Sequence, residues 1–215
     1  MNNNLSIALL ISSIIFYVFY LVLSIRSFDK MIDETLLNTF PYETNKKYKV
    51  MSLLILLIGS IVGILYIVFL YPLEYRFGFQ ITSIISCVIA LISFFLLNII
   101  NFVREKVHYL IFSIFFVTNL ALSISLGGSA FNFYNLLDEN IFAAIISIFY
   151  FLLAIAEVLF VVPNLSVTLK MNSEMVEGET ILKKPHFIKL SLSEWIFSMA
   201  IFAKMIPIIV IILLI

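Results

Sequence analysis

The chain has 215 residues, 63% of them hydrophobic and 12% charged, and its formal net charge is zero. Soluble domains run nearer half apolar and a quarter charged, so a soluble globule is excluded, and the neutral balance gives no electrostatic footprint for a nucleic-acid partner. One cysteine, Cys87, excludes an intrachain disulfide and a cysteine metal cluster.

The apolar residues fall into six runs of about 20 residues or more, the length a helix needs to cross the hydrocarbon. Barrel strands would be about 10 residues long and would alternate, which these runs do not. The pattern predicts an all-α, polytopic membrane bundle of six transmembrane helices over 5–25, 50–71, 81–103, 107–126, 141–162 and 192–215. The loops 26–49 and 163–191 are too short to fold alone, so 1–215 reads as one integral membrane domain whose first partner is the lipid bilayer.

The first run follows MNNN, which has no basic side chain, and precedes Arg26-Ser27-Phe28-Asp29-Lys30 rather than a small-residue cleavage site. It reads as a retained helix, not a cleaved signal. In SFDKMIDETLLNTFP, Phe28, Met31, Ile32, Leu36 and Phe40 recur at helical spacing, with Asp29, Asp33 and Glu34 between them and Pro41 as a stop. This predicts a short amphipathic helix over 28–40 on the membrane surface. It would serve either as a connector covering the bundle or as a docking surface for another membrane protein.

The second run contains Gly59 and Gly63 in a Gly-x-x-x-Gly spacing, which lets two helices approach closely, inside one bundle or between chains. Asn98 and Asn101 in the third run, and Asn119, Ser123 and Ser125 in the fourth, are candidates for interhelical hydrogen bonds or a polar path. GGSAFNFYNLLDEN carries Asp138 and Glu139 without a basic residue and reads as an outward loop. LKMNSEMVEGETILKKPHF, with Gly178 and Pro185, reads as a solvated, mobile loop.

Basic residues accumulate on the cytoplasmic side of a membrane. Arg26, Lys30, Lys46, Lys47, Lys49, Arg104, Lys106, Lys170, Lys183, Lys184 and Lys189 share one side, against Arg76 alone on the other. Both termini are therefore expected outside, with loops 26–49 and 163–191 in the cytoplasm. The remaining basic residue, Lys204, lies inside the last run, MAIFAKMIPIIVIILLI. A lysine near a helix centre costs about 2.5–3.5 kcal/mol on the insertion scale, and each large apolar residue returns about 0.3–0.6, so the helix inserts but the lysine needs a partner.

Glu157, the one acid well inside the fifth run, is the candidate. The lean of side chains toward the N-terminus of their own helix brings its carboxylate and the Lys204 ammonium toward a common depth. Glu194 is expected to join this intramembrane charge pair from the interface. The alternatives are a lysine that snorkels to the surface beside a protonated Glu157, and a lysine paired to another protein through helix 6. Pro207 is expected to free the carbonyl of Ala203 beside the charge.

No catalytic, cofactor-binding or metal residues are predicted, and no cofactor. A His-Glu-x-x-His pair, a Gly-x-Ser-x-Gly elbow and a P-loop are all missing from the sequence. The histidines, His108 and His186, fall at or beyond the membrane edges. The reading is a non-enzymatic accessory or partner subunit; the alternative is a small solute or proton-coupled transporter that uses the Glu157 and Lys204 pair.

The stretch RSFDKMIDETLLNTFPYETNKKYK, together with the six-helix layout and the Ile, Asn, Lys and Phe richness, resembles small uncharacterised membrane proteins of staphylococcal-type Gram-positive bacteria encoded near type VII secretion loci. The resemblance implies a multi-pass protein of the bacterial plasma membrane with a secretion-accessory role. It carries no functional residue with it.

Overall fold

In a computed structural model of the chain, residues 3–28, 35, 39–43, 48–71, 78–100, 105–136, 140–161, 172–176, 179–183 and 189–212 are described. They form six helices: α1 (Asn3–Arg26), α2 (Lys49–Leu70), α3 (Gly78–Leu97), α4 (Glu105–Leu136), α5 (Ile141–Val161) and α6 (Lys189–Ile212). All six are long and apolar enough to span a membrane, and the protein is an all-α bundle. In lipid a backbone must satisfy its own polar groups, and a helix does so within the segment.

Each helix is amphipathic in the sense opposite to that of a soluble protein. On α1 the buried stripe is Ser6, Leu10, Ser13, Tyr17, Tyr20 and Ser24, at steps of three and four. Its exposed face is aliphatic and aromatic: Leu5, Ile11, Ile15, Val18, Phe19, Val22 and Ile25. On α3 the buried face likewise holds Gln80, Ser83, Ser86, Cys87 and Ser93. Most hydroxyls and amides point inward, where partners are, while the exposed Thr82 and Ser113 donate to carbonyls of their own helices, Gly78 and Tyr109; hydrocarbon side chains point out because lipid accepts them.

Helices adjacent in the chain pack side by side: α1 on α2, α3 on α4, α4 on α5. α6 touches all five others. It is the most enclosed of the six spans although it is the least apolar. Among its described side chains only a narrow strip, Ile196, Met199, Ala203, Ile206 and Val210, faces outward at helical spacing. This limits the expectation of a partner on helix 6 to that strip.

Gly59 lets α1 come close: a Cβ there would meet the Phe16 Cβ at 3.0 Å. Gly63 faces Leu91, Phe202 and Met205, with its nearest neighbour at 3.5 Å. Both glycines thus face helices of the same chain.

The structure departs from the sequence expectation in three places. The fourth helix does not stop near 126 but runs to Leu136, through the segment expected as an outward loop. Glycines weaken a helix, but tight packing overrides propensity here. Gly127 admits the Phe151 ring of α5, whose Cζ lies 3.2 Å from the Cβ position, and Gly128 admits Phe79 of α3. Ser147 also donates to the Gly127 carbonyl at 2.9 Å. Second, the loop 163–191 contains a two-stranded antiparallel hairpin, β1 (Asn172–Val176) on β2 (Glu179–Lys183), with Asn172 opposite Lys183 and Val176 opposite Glu179. Third, the apolar run expected to reach 103 leaves the helix at Leu97. Most of the proposed 28–40 amphipathic helix, together with Asn101 and His186, lies outside the described residues.

Candidate functional site

α4 and α6 run side by side in the same direction and share two polar rungs about three helical turns apart. Turns of 3.6 residues bring residues about 11 apart back to the same face. His108 and Asn119 on α4 are 11 residues apart, and Glu194 and Lys204 on α6 are 10 apart, close to that spacing.

The deeper rung holds Lys204, 1% exposed. Its Nζ lies against Glu157 Oε1, and it donates to the Asn119 carbonyl at 3.0 Å and to the side-chain oxygen Oδ1 of the same residue. Three N–H groups thus face three acceptors, the full complement of an ammonium. Glu157 is satisfied in parallel, because Ser123 donates to its Oε2 at 3.1 Å. Asn119 turns its Nδ2 to the Phe197 carbonyl at 3.0 Å. α4, α5 and α6 are therefore cross-linked through one buried ion pair.

The packing explains why the two side chains meet. The rings of Phe160 and Phe197 lie 6.5 Å apart, and α5 runs opposite to α6. Counting from that contact, Lys204 is level with a residue about four positions before Glu157, roughly 6 Å away along the axis. A lysine stem leaning toward its own N-terminus covers that distance.

Pro207 lies inside α6. The carbonyls that receive side-chain donors are those of Lys204, from the Tyr150 hydroxyl, and Met205, from the Tyr66 hydroxyl at 2.7 Å. These follow the Ala203 carbonyl expected from the sequence by one and two positions. Both tyrosines are fully buried.

Glu194 does not join the Lys204 pair. The spacing along α6 puts roughly 15 Å between their backbones, and Glu194 turns instead to His108 on α4, Oε1 to Nε2 at 2.7 Å, with both side chains fully buried. The Nδ1 of His108 faces the Ile100 carbonyl at 3.2 Å. His108 is thus buried inside the protein, near the start of α4, at the end of the span where the sequence placed it. A separation of 86 residues left no local signal for this pair; the matching intervals along α4 and α6 were the available clue.

Around this second rung sits the segment 39–43. The Thr39 carbonyl accepts from Ser191 Oγ at 2.7 Å and from Trp195 Nε1 at 2.9 Å. The Phe40 and Tyr42 rings each meet the His108 ring edge-on at 5.6 Å, and Glu43 turns back to accept the Phe40 N–H at 3.0 Å. Trp195 is 1% exposed, so it is a core residue with an internal hydrogen-bond partner and not an interfacial anchor. Tyr20, on α1, stands 6.2 Å from it and donates to Asn98, and Tyr17 meets Ser198 at 2.6 Å.

At the other end of the bundle Ser83 donates to Ser125 at 3.1 Å. Cys87 is buried and free. Among the described residues no group of three or more His, Cys, Asp and Glu side chains could hold a metal ion.

No protein-family model, curated protein or solved structure matches the chain.

Proposed function

We propose that this multi-pass membrane protein works as a non-enzymatic accessory or partner subunit of the plasma membrane, with both termini outside and loops 26–49 and 163–191 in the cytoplasm. One observation carries the reading: segment 39–43 is anchored, not merely connected, by Ser191 and Trp195 from α6 and by His108 from α4. Its partly exposed residues, Tyr42 and Glu43, are held in place before a partner arrives and so lose little entropy when it binds. The distribution of basic residues supports the orientation, and the likeness of the 26–49 region to secretion-locus proteins supports a secretion-associated role. Lys204 finds its partners within the chain, so contact with another protein does not run through it.

The test is a mild-detergent pull-down of the tagged full chain. A stoichiometric membrane partner recovered with wild type and Lys204→Met, and lost with Tyr42→Ala, supports the reading. A wild-type protein that comes out alone refutes it.

One observation favours a second reading, transport of a small solute coupled to protons. A mutually neutralised acid and base lie well inside the spans, beside Pro207 and two tyrosine-bound carbonyls, and such interrupted helices with buried charge occur at transporter sites. Purified protein in vesicles would then show pH-dependent flux that Glu157→Gln abolishes.

A further inference from the structure

The His108–Glu194 rung has a protonic asymmetry that the accessory reading does not use. A carbonyl oxygen can only accept, so the Ile100 carbonyl fixes a proton on His108 Nδ1. The 2.7 Å contact from Nε2 to Glu194 Oε1 then needs one more proton between the two atoms. That proton sits on nitrogen, giving imidazolium and carboxylate, or on oxygen, giving imidazole and carboxylic acid. Both forms are neutral as a pair, which a fully buried site requires. The other carboxyl oxygen, Glu194 Oε2, is buried and has no hydrogen-bond partner among the described residues. Glu194 itself is 0% exposed.

We infer that His108 and Glu194 form a proton-binding site that locks segment 39–43 onto the start of α6, and that it holds the segment only while the pair carries its one shared proton. Loss of that proton to a solvent base leaves the Nε2 lone pair facing a carboxylate oxygen, and the contact becomes repulsive. Gain of a second proton from hydronium falls on Oε2, the open acceptor. The neutral acid then leaves the imidazolium uncompensated in the interior. Either change separates His108 from Glu194. It thereby withdraws the ring on which Phe40 and Tyr42 rest and disturbs Trp195, the next residue on α6, whose indole holds the Thr39 carbonyl. Among the described residues, the other titratable groups facing the pair are Glu43 and Tyr42, on the locked segment, and Tyr20, on α1. Glu43 is partly exposed and does not contact the shared proton, so it modulates the lock without forming it.

Trp195 is the only tryptophan in the chain and reports the lock directly. The experiment follows its emission and its acrylamide quenching in the full chain in mild detergent, between about pH 5 and about pH 9, the window in which a histidine pair titrates. Wild type is expected to show a bell-shaped profile: shielded, blue-shifted emission in the middle, with red-shifted and more quenchable emission at both ends. Glu43→Gln keeps the bell, while His108→Gln and Glu194→Gln each flatten it. A wild-type signal that does not change across the window overturns the proposal without reference to any variant. So does a bell that survives in His108→Gln or in Glu194→Gln, or one that vanishes in Glu43→Gln. Circular dichroism on each sample separates a flat profile in a folded variant from one caused by loss of the bundle.

Discussion

Replacing Lys204 with methionine removes the side chain that ties α4, α5 and α6 together. Glu157 would keep Ser123 and lose its counter-charge, while Asn119 would lose the donor to both of its oxygens. Breaking a buried pair from one side costs about 3–5 kcal/mol, because the remaining charge is stranded. The reference state here is an inserted helix that lets a lysine reach the interface, which argues for the low end. About 3 kcal/mol is on the order of 100-fold in the unfolding equilibrium. Glu157→Gln is expected to cost a similar amount by stranding the ammonium. The double variant Glu157→Gln, Lys204→Met strands no charge and is expected within about 1 kcal/mol of wild type, since replacing a buried pair with neutral groups is often harmless. The assay is equilibrium unfolding of the full chain in mixed micelles with rising SDS fraction, read through Trp195 emission. A double variant whose loss equals the sum of the two single losses within about 0.5 kcal/mol, the limit of additivity for independent sites, would refute the reasoning.

Three further outcomes can be checked in the same way. Gly59→Ala puts a methyl group 3.0 Å from the Phe16 Cβ, an atom that cannot swing aside, whereas at Gly63 the nearest neighbour is a flexible Leu91 methyl at 3.5 Å; the first should lower the free energy of unfolding in SDS by about 1–3 kcal/mol and the second by less than about 1. Tyr150→Phe removes the hydroxyl on the Lys204 carbonyl beside Pro207 and should cost about 1 kcal/mol in SDS unfolding, with the α-helical signal intact. Trp195→Phe leaves Ser191 as the side-chain donor to the Thr39 carbonyl, and hydrogen exchange at the amides of 39–43 should quicken roughly fivefold, the equivalent of about 1 kcal/mol.

The sequence disclosed most where the bilayer imposes the rule. Six apolar runs of spanning length leave few options, and Lys204 and Glu157 stood out because charge inside such runs is costly. It disclosed least where partners come from distant segments. Gly127 and Gly128 read as a loop because glycine weakens a helix, and only Phe151 and Phe79, on neighbouring helices, explain why α4 continues through them. Glu194 read as an extra partner for Lys204, the charge nearest to it in sequence terms, although α6 carries the two residues to different depths. His108 carried no local signal, and the Trp195 indole, normally a marker of the membrane interface, found a backbone carbonyl to hold inside the protein. The β1–β2 hairpin had a faint trace in two five-residue runs flanking Gly178, masked by their mixed charge.

α4 has 32 residues, which at 1.5 Å per residue makes a rod of about 48 Å. The hydrocarbon slab it crosses is about 30 Å deep. The surplus has to be taken up by tilt or by overhang, and its share changes with the thickness of the surrounding lipid. α4 also carries His108 near its start and Asn119 and Ser123 further along, so whatever leans the rod works on both charged rungs at once. A thinner or thicker host membrane therefore acts on this protein as a mechanical load, applied through its longest helix to its most costly buried groups.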